Sequence, residues 1–236
     1  MTASSDLQDV DGLPWPVALR PHARARAVRL RLNERAGHLV LSYPKRMSRR
    51  SVLDWARKQS DWAQRQIGQI APASPFECGQ LIPFRGDEVR LLWEQSAPRT
   101  PTFHDQHLVA GGPAESFPGR IDRYLRSEAR RELSARTAET ASRAGVTVRS
   151  VSVGDAVSRW GSCSASGAIR YNWRLILAPP QILEWVVAHE VAHRRHMNHG
   201  EAFRRLEREL YEGDVSEARA ELRRLGPGLK RIGLRL

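Results

Sequence analysis

The segment Val186–Phe203, VVAHEVAHRRHMNHGEAF, leaves the chain few ways to fold. It holds His189-Glu190-x-x-His193 and then, after five more residues, His199. Residues four apart on an α-helix stack on one face, so His189 and His193 can offer neutral imidazoles to one zinc ion at about 2.0–2.1 Å. Glu190 follows the first histidine directly. Its carboxylate then stands beside the metal, where a general base for a zinc-activated water is needed. Ile182, Leu183, Val186 and Val187 give this helix an apolar back, so a core has to exist to receive it.

Two histidines do not complete a site, and His196 and His199 compete for the third place. His196 continues along the same side of the helix and crowds the metal instead of closing its open face. Asn198 and Glu201 have the Asn-x-x-Glu spacing of a capping box, which predicts a new helix there and an end to the first near His196 or Met197. A bend at that point swings His199 back. The expected ligands of a single Zn2+ are therefore His189, His193 and His199, with His196 beside the site or in solvent. Glu212, Glu217 and Glu221 are carboxylate alternatives to His199.

With 236 residues, the chain can form one large or two small domains. Its 41% hydrophobic and 27% charged residues fit a soluble globular protein. No apolar run is long enough for a membrane span, and the N-terminal MTASSDLQDVDGLPWP lacks a signal-type apolar stretch, so a cytoplasmic location is expected. Cys78 and Cys163 stand alone, which argues against a disulfide framework and against a zinc held by cysteine pairs. The formal charge is +12, and all but three of the basic residues are arginine. Such a balance draws a chain to nucleic acid, anionic surfaces or acidic proteins, or reflects a general arginine bias.

Read in order, residues 1–16 look like a mobile tail. Leu19–Leu32 alternates as one strand with a basic face, and His38–Tyr43 is its hairpin partner after Gly37. Ser51–Ile70 has the stripe of a single amphipathic helix, and Ala71–Pro75 is a linker. The basic strand face joins Lys45, Arg46, Arg49, Arg50, Arg57 and Lys58 in the densest charge cluster, a candidate phosphate-binding surface or a solvated face. A second hairpin turns at Gly86-Asp87, and Phe103–Val109 is one further strand. The loop 111–119 marks a domain boundary. Arg120–Gly145 is a long helix closed by glycine. Val146–Val153 and Ala168–Leu177 are paired strands around RWGSCS, and Pro179-Pro180 opens the histidine helix. A helix to about Tyr211 and another over Ser216–Leu225, closed by Gly226-Pro227, precede a basic tail. The pattern is α+β: a β-rich part over 17–112 with one helix, then 113–236 with the histidine helix packed on a small sheet.

The order of long helix, strand, RWGSCSASGAIRYNWRLILAPP and VVAHEVAHRRHMNHGEAF resembles the YgjP-like metallopeptidase family, and more distantly the SprT-like and WLM proteases. The resemblance covers most of the chain and is densest over Arg159–Phe203. It implies a zincin-like domain with an N-terminal β-rich extension, His189, His193 and His199 as zinc ligands, and Glu190 as the catalytic glutamate. This chain departs from the family pattern in two places. Phe203 is followed by Arg204 where tryptophan is common, and Glu212-Gly213-Asp214-Val215 replaces an aromatic-proline segment. Both bear on the far wall of the pocket and on substrate preference.

The expected activity is hydrolysis of peptide bonds in a protein or peptide substrate, as a zinc metalloendopeptidase. Arg159, Tyr171 and Asn172 are candidate donors to a developing oxyanion. Trp160 and Trp173 are read as packing residues. Ser162 and Cys163 sit in a small-residue turn but have no evident base to activate them. The alternative is a nucleic-acid-associated protein, by analogy with SprT-like and WLM proteases that act on DNA-linked proteins. Its zinc site would then serve only bound proteins, or would be structural.

Overall fold

The computed structural model describes residues 7–33, 36–68, 70 and 72–234. Residues 1–6 of the expected tail, Glu34 and Arg35 before the first hairpin turn, Gln69 of the helix expected over Ser51–Ile70, Ala71 of the linker, and Arg235 and Leu236 lie outside them. The chain divides into two compact units, before and after the Ala71–Pro72 bond. The expected boundary in the 111–119 loop differs from this division. The reason is shared burial: Ile82, Phe84, Val89, Leu91 and Leu108 belong to one core with Ile121, Leu125, Ile182 and Val187.

In the first unit, β1 (Leu7–Gln8), β2 (Val17–His22), β3 (Arg29–Asn33) and β4 (His38–Pro44) form a sheet in the order β1-β2-β4-β3. The single strand expected over Leu19–Leu32 is two strands, β2 parallel and β3 antiparallel to β4. Residues 7–16, expected as part of a tail, are tied to the sheet, because Leu7 and Gln8 pair with β2 and Val10 is buried. The expected single helix is α1 (Arg49–Arg57) and α2 (Ser60–Gly68). Ser48 caps α1 by accepting from the Ser51 amide. The break falls at Lys58–Gln59, where the Ser60 hydroxyl at the head of α2 donates to the Gly12 carbonyl. Val17, Leu39, Leu41, Val52, Ala56 and Ala63 make this unit's own core.

The second unit opens with β5 (Leu81–Phe84), β6 (Asp87–Trp93), β7 (Thr102–His104) and β8 (His107–Ala110), in the order β5-β6-β8-β7. The strand expected over Phe103–Val109 is thus a hairpin turning at Asp105–Gln106, both at positive φ. The β5–β6 turn is Arg85–Gly86, one residue before the expected pair. Both residues have positive φ, 54° and 89°, as a two-residue type I′ turn requires. This tip fixes the unit's helices. The Arg85 amide donates to the Ile176 carbonyl, and its guanidinium bridges Glu128 and Glu132. Gly86 lies so close to Pro179 that a Cβ would meet the proline Cα at 3.1 Å.

The long helix α3 (Phe117–Ala144) buries Phe117, Ile121, Leu125, Ala129, Leu133, Thr137 and Ala141, a stripe spaced by four. Gly145 closes it in the left-handed region. A three-stranded sheet follows: β9 (Ser150–Gly154), β10 (Gly161–Cys163) and β11 (Ala168–Asn172). Its order is β10-β11-β9, with β9 parallel and β10 antiparallel to β11. The strand expected to run to Leu177 stops at Asn172. Trp173–Leu177 is a short 3₁₀ turn, buried on all sides, so its apolar run has no face to read. The last helices are α4 (Pro180–Ala192), α5 (Glu201–Leu210) and α6 (Val215–Leu229), and α4 packs against α3, α5, α6 and β10. The Gly226-Pro227 pair lies inside α6 and does not end it. Among the described residues the fold is α+β, with six α-helices and three small sheets. No helix among them is long and apolar enough to cross a membrane.

Candidate metal centre

The centre forms where α4 gives out. Nine of the thirteen residues of α4 are buried, among them Trp185, Val187, Glu190 and Val191. His193 is the C-cap, and the chain leaves through turns in which Arg194 and Arg195 donate to the Val191 and Ala192 carbonyls. The helix ends earlier than the expected His196 or Met197. The next helix is preceded by Gly200 with no side-chain cap, so Asn198 does not form the expected capping box. The early end of α4 is what frees His199 to return over the helix. Arg194 anchors the exit by donating to the Thr147 carbonyl.

His189, His193 and His199 converge, and one ring nitrogen of each lies within 4.8 Å of the others. His189 Nε2 and His199 Nε2 are 3.3 Å apart. Two nitrogens bound tetrahedrally to one zinc at about 2.05 Å stand about 3.3 Å apart, so this spacing suits a shared ion. Phe203 of α5 is 1% exposed and packs under all three rings, with centroids 4.7 to 5.1 Å away.

The second ring nitrogens of His189 and His193 are occupied. His189 Nδ1 donates to Glu207 Oε1 at 2.8 Å, and His193 Nδ1 donates to the His196 carbonyl at 3.1 Å. Both bonds hold the proton on Nδ1 and leave the Nε2 lone pair free. Burial lowers the His193 pKa, as do the neighbouring His189 and His199, against the pull of the His196 carbonyl; this keeps the ring neutral. His196 thus contributes its carbonyl.

Glu207 was not anticipated from the sequence. It is 2% exposed and also accepts from Trp185 Nε1 at 3.0 Å, with Arg219 at 3.9 Å. Burial pushes its pKa up, but the His189 bond, Trp185 and Arg219 outweigh that and hold it below the usual carboxylate value. The sequence signal was present: Glu207 lies one helical turn after Phe203 on α5, facing the same way. Of the alternatives to His199, Glu212 pairs with Arg143 and Glu221 with Arg224, while Glu217 lies in the first turn of α6; none joins the three imidazoles.

Glu190 is 5% exposed. Burial raises its carboxyl to about 7, with His189 and Arg159 pulling the other way. Its Oε2 has no hydrogen-bond partner among the described residues, so a buried carboxylate oxygen awaits a donor. Gly161 of β10 makes room for it. A Cβ at Gly161 would stand 2.6 Å from Glu190 Cγ and closer still to Oε1.

Arg159, Tyr171 and Asn172 line one cavity of about 210 Å³ together with Gly161. Their polar ends differ in freedom. The Tyr171 hydroxyl is buried against Thr137 Oγ1 at 3.0 Å, and its pKa is raised by burial. Asn172 donates to the Ala156 carbonyl and accepts from the Arg174 amide, capping the 3₁₀ turn. Arg159 is exposed and acts electrostatically on Glu190. Trp173 is fully buried, and Trp160 packs against the core beneath Lys230. Ser162 and Cys163 lie in β10, and burial raises the Cys163 thiol pKa, away from a reactive thiolate.

Residues 26–225 match the family described as YgjP-like, metallopeptidase domain. The match spans most of the chain, which therefore belongs to this metallopeptidase family. No curated protein and no solved structure matches the chain.

Proposed function

We propose that the chain is a zincin-type, zinc-dependent endopeptidase in which His189, His193 and His199 hold one Zn2+ and Glu190 is the general base. The observation that carries this is the convergence of three ring nitrogens within 4.8 Å beside a buried carboxylate with an unsatisfied oxygen. Zinc held there would polarise a peptide carbonyl and acidify a water molecule. Glu190 would take the proton of the attacking water at its free Oε2 and return it to the leaving amine. A carboxyl raised to about 7 by burial is well matched to both transfers near neutral pH. Glu207 orients His189 and keeps its Nε2 lone pair available. Arg159 is the proposed donor to the developing oxyanion, since Tyr171 and Asn172 are held by Thr137 and by the backbone. Two free cysteines fit a reducing, cytoplasmic setting.

Glu190→Gln tests the proposal. Zinc content by elemental analysis should be unchanged, and hydrolysis of an unfolded protein substrate should fall by a factor of about 10² to 10⁴. Proteolysis that survives with zinc in place removes Glu190 from the role. The exposed arginines of the first unit, Arg29, Arg31, Arg46 and Arg50, support a second reading in which the substrates are proteins on nucleic acid. Rates equal with and without single-stranded or duplex DNA would discard it.

A further inference from the structure

The opposite end of α3 holds a site of different chemistry. Arg99, Arg120 and Arg123 line a cavity of about 530 Å³ together with the hydroxyl residues Thr100, Ser116 and Tyr124, and no aspartate or glutamate lines it. The volume is that of a typical small-ligand pocket. Arg120 is 8% exposed, and one nitrogen, Nη1, donates to the Pro113 carbonyl at 2.9 Å. No carboxylate pairs with any of the three arginines among the described residues. The acids on the adjoining turns of α3 are already engaged, Asp122 with Arg126 and Glu128 with Arg85 and Arg131. A buried guanidinium without a counter-charge is strongly disfavoured, and two like charges held together are worse.

The backbone is nevertheless shaped to bring them together. Gly112 has φ +81°, and a Cβ there would stand 2.8 Å from Arg120 Nη2 and 3.0 Å from Arg99 Cγ. Ser116 stands at the N-cap of α3 with no capping bond from its side chain, so its hydroxyl is uncommitted beside the positive end of a 28-residue helix. From Arg120 to Ala144 the helix runs about 36 Å at 1.5 Å per residue. At that far end a Cβ added to Gly145 would stand 3.3 Å from Arg195 Nη2, two residues past His193, so the arginine cavity is separate from the histidines.

We infer that this cavity binds a small phosphate-bearing molecule, whose phosphoryl oxygens supply the charge that Arg99, Arg120 and Arg123 lack. Guanidinium forks match phosphate oxygens two at a time, and the hydroxyls complete the set of donors. The inference does not depend on the peptidase reading.

The test is calorimetric titration of the full chain with sodium pyrophosphate, at ionic strength held constant with sodium chloride. A mononucleotide and a ten-residue oligonucleotide form parallel arms. Saturable one-to-one binding of pyrophosphate or the mononucleotide is expected. The Arg99→Ala/Arg123→Ala double variant, whose exposed side chains leave the core intact, should bind at least about tenfold more weakly with circular dichroism and zinc content unchanged. Arg149→Ala/Arg223→Ala, two exposed arginines elsewhere, should bind as the wild type does. Three outcomes overturn the inference: no saturable binding, equal weakening in both double variants, or binding of the oligonucleotide alone. Pyrophosphate captured by a metal at the histidines would survive in the Arg99/Arg123 variant, and that result would overturn it too.

Discussion

The two ends of α3 gather opposite kinds of group. Beside its C-terminal end, three imidazoles bring one ring nitrogen each within 4.8 Å of the others, and two buried carboxylates, Glu190 and Glu207, stand beside them. At its N-terminal end, three fixed cations face a cavity with no acid in its wall. The first end presents ring nitrogens and acids, the second guanidinium groups with no acid facing them. In a chain of net charge +12, the number of arginines alone says little about where a partner goes. What distinguishes the ends is which charges the fold leaves without a counter-charge.

The largest expected break in this comparison is Glu190→Gln. It should lower the peptidase rate by a factor of about 10² to 10⁴ and leave pyrophosphate affinity at the other end untouched. Next is Glu207→Ala, which removes the carboxylate behind His189. Zinc affinity, measured by competition with a chelating dye, should fall about 10- to 100-fold; unchanged affinity would reduce Glu207 to a packing residue. Gly161→Ala should act on position alone. Zinc stays bound while kcat drops roughly tenfold or more, because the carboxylate must shift to admit the new methyl. Full activity in that variant would mean that the strand, not Glu190, gives way. His199→Ala and His196→Ala sharpen the ligand set: zinc should be lost from the first and kept by the second, and equal loss in both would unseat His199.

The smallest effect is on stability. Burial raises the Glu190 carboxyl to about 7, above the ordinary 4.5. Between those values the folded chain holds a proton that the unfolded chain has released. The metal-free protein should therefore lose stability as pH rises from about 4.5 to 7, by about 3 kcal/mol for a shift of this size, and Glu190→Gln should remove that slope. Parallel melting curves for the two proteins across the window would refute the buried-acid argument.

Local chemistry was legible where one residue dictates one geometry. Gly145 as a helix end, the long helix that it closes and the histidine spacing all follow from the sequence. The sheets were harder. Both four-stranded sheets share a plan, antiparallel pairs flanking a parallel central one, and no local pattern announces the parallel pair. Alternation over Leu19–Leu32 ran across a turn, because Ala23 to Ala27 continue the two-residue rhythm without pairing. Asn198 had the spacing of a cap, yet the actual break was set six residues earlier by α4 ending at Ala192. Glu207 and Gly161 were missed for the same reason: each matters through a residue far away in the chain, His189 and Glu190 respectively.

The missing methyl of Gly161 reaches beyond the carboxylate it shelters. Gly161 pairs with Tyr171 across β10 and β11. A slip of one residue would bring Trp160 or Ser162 to that point, and either side chain would collide with Glu190. Only the correct register lets α4 seat against the sheet with its glutamate in place. The site thus proofreads the strand pairing on which it stands, and a misregistered chain would be left with the buried face of α4 exposed.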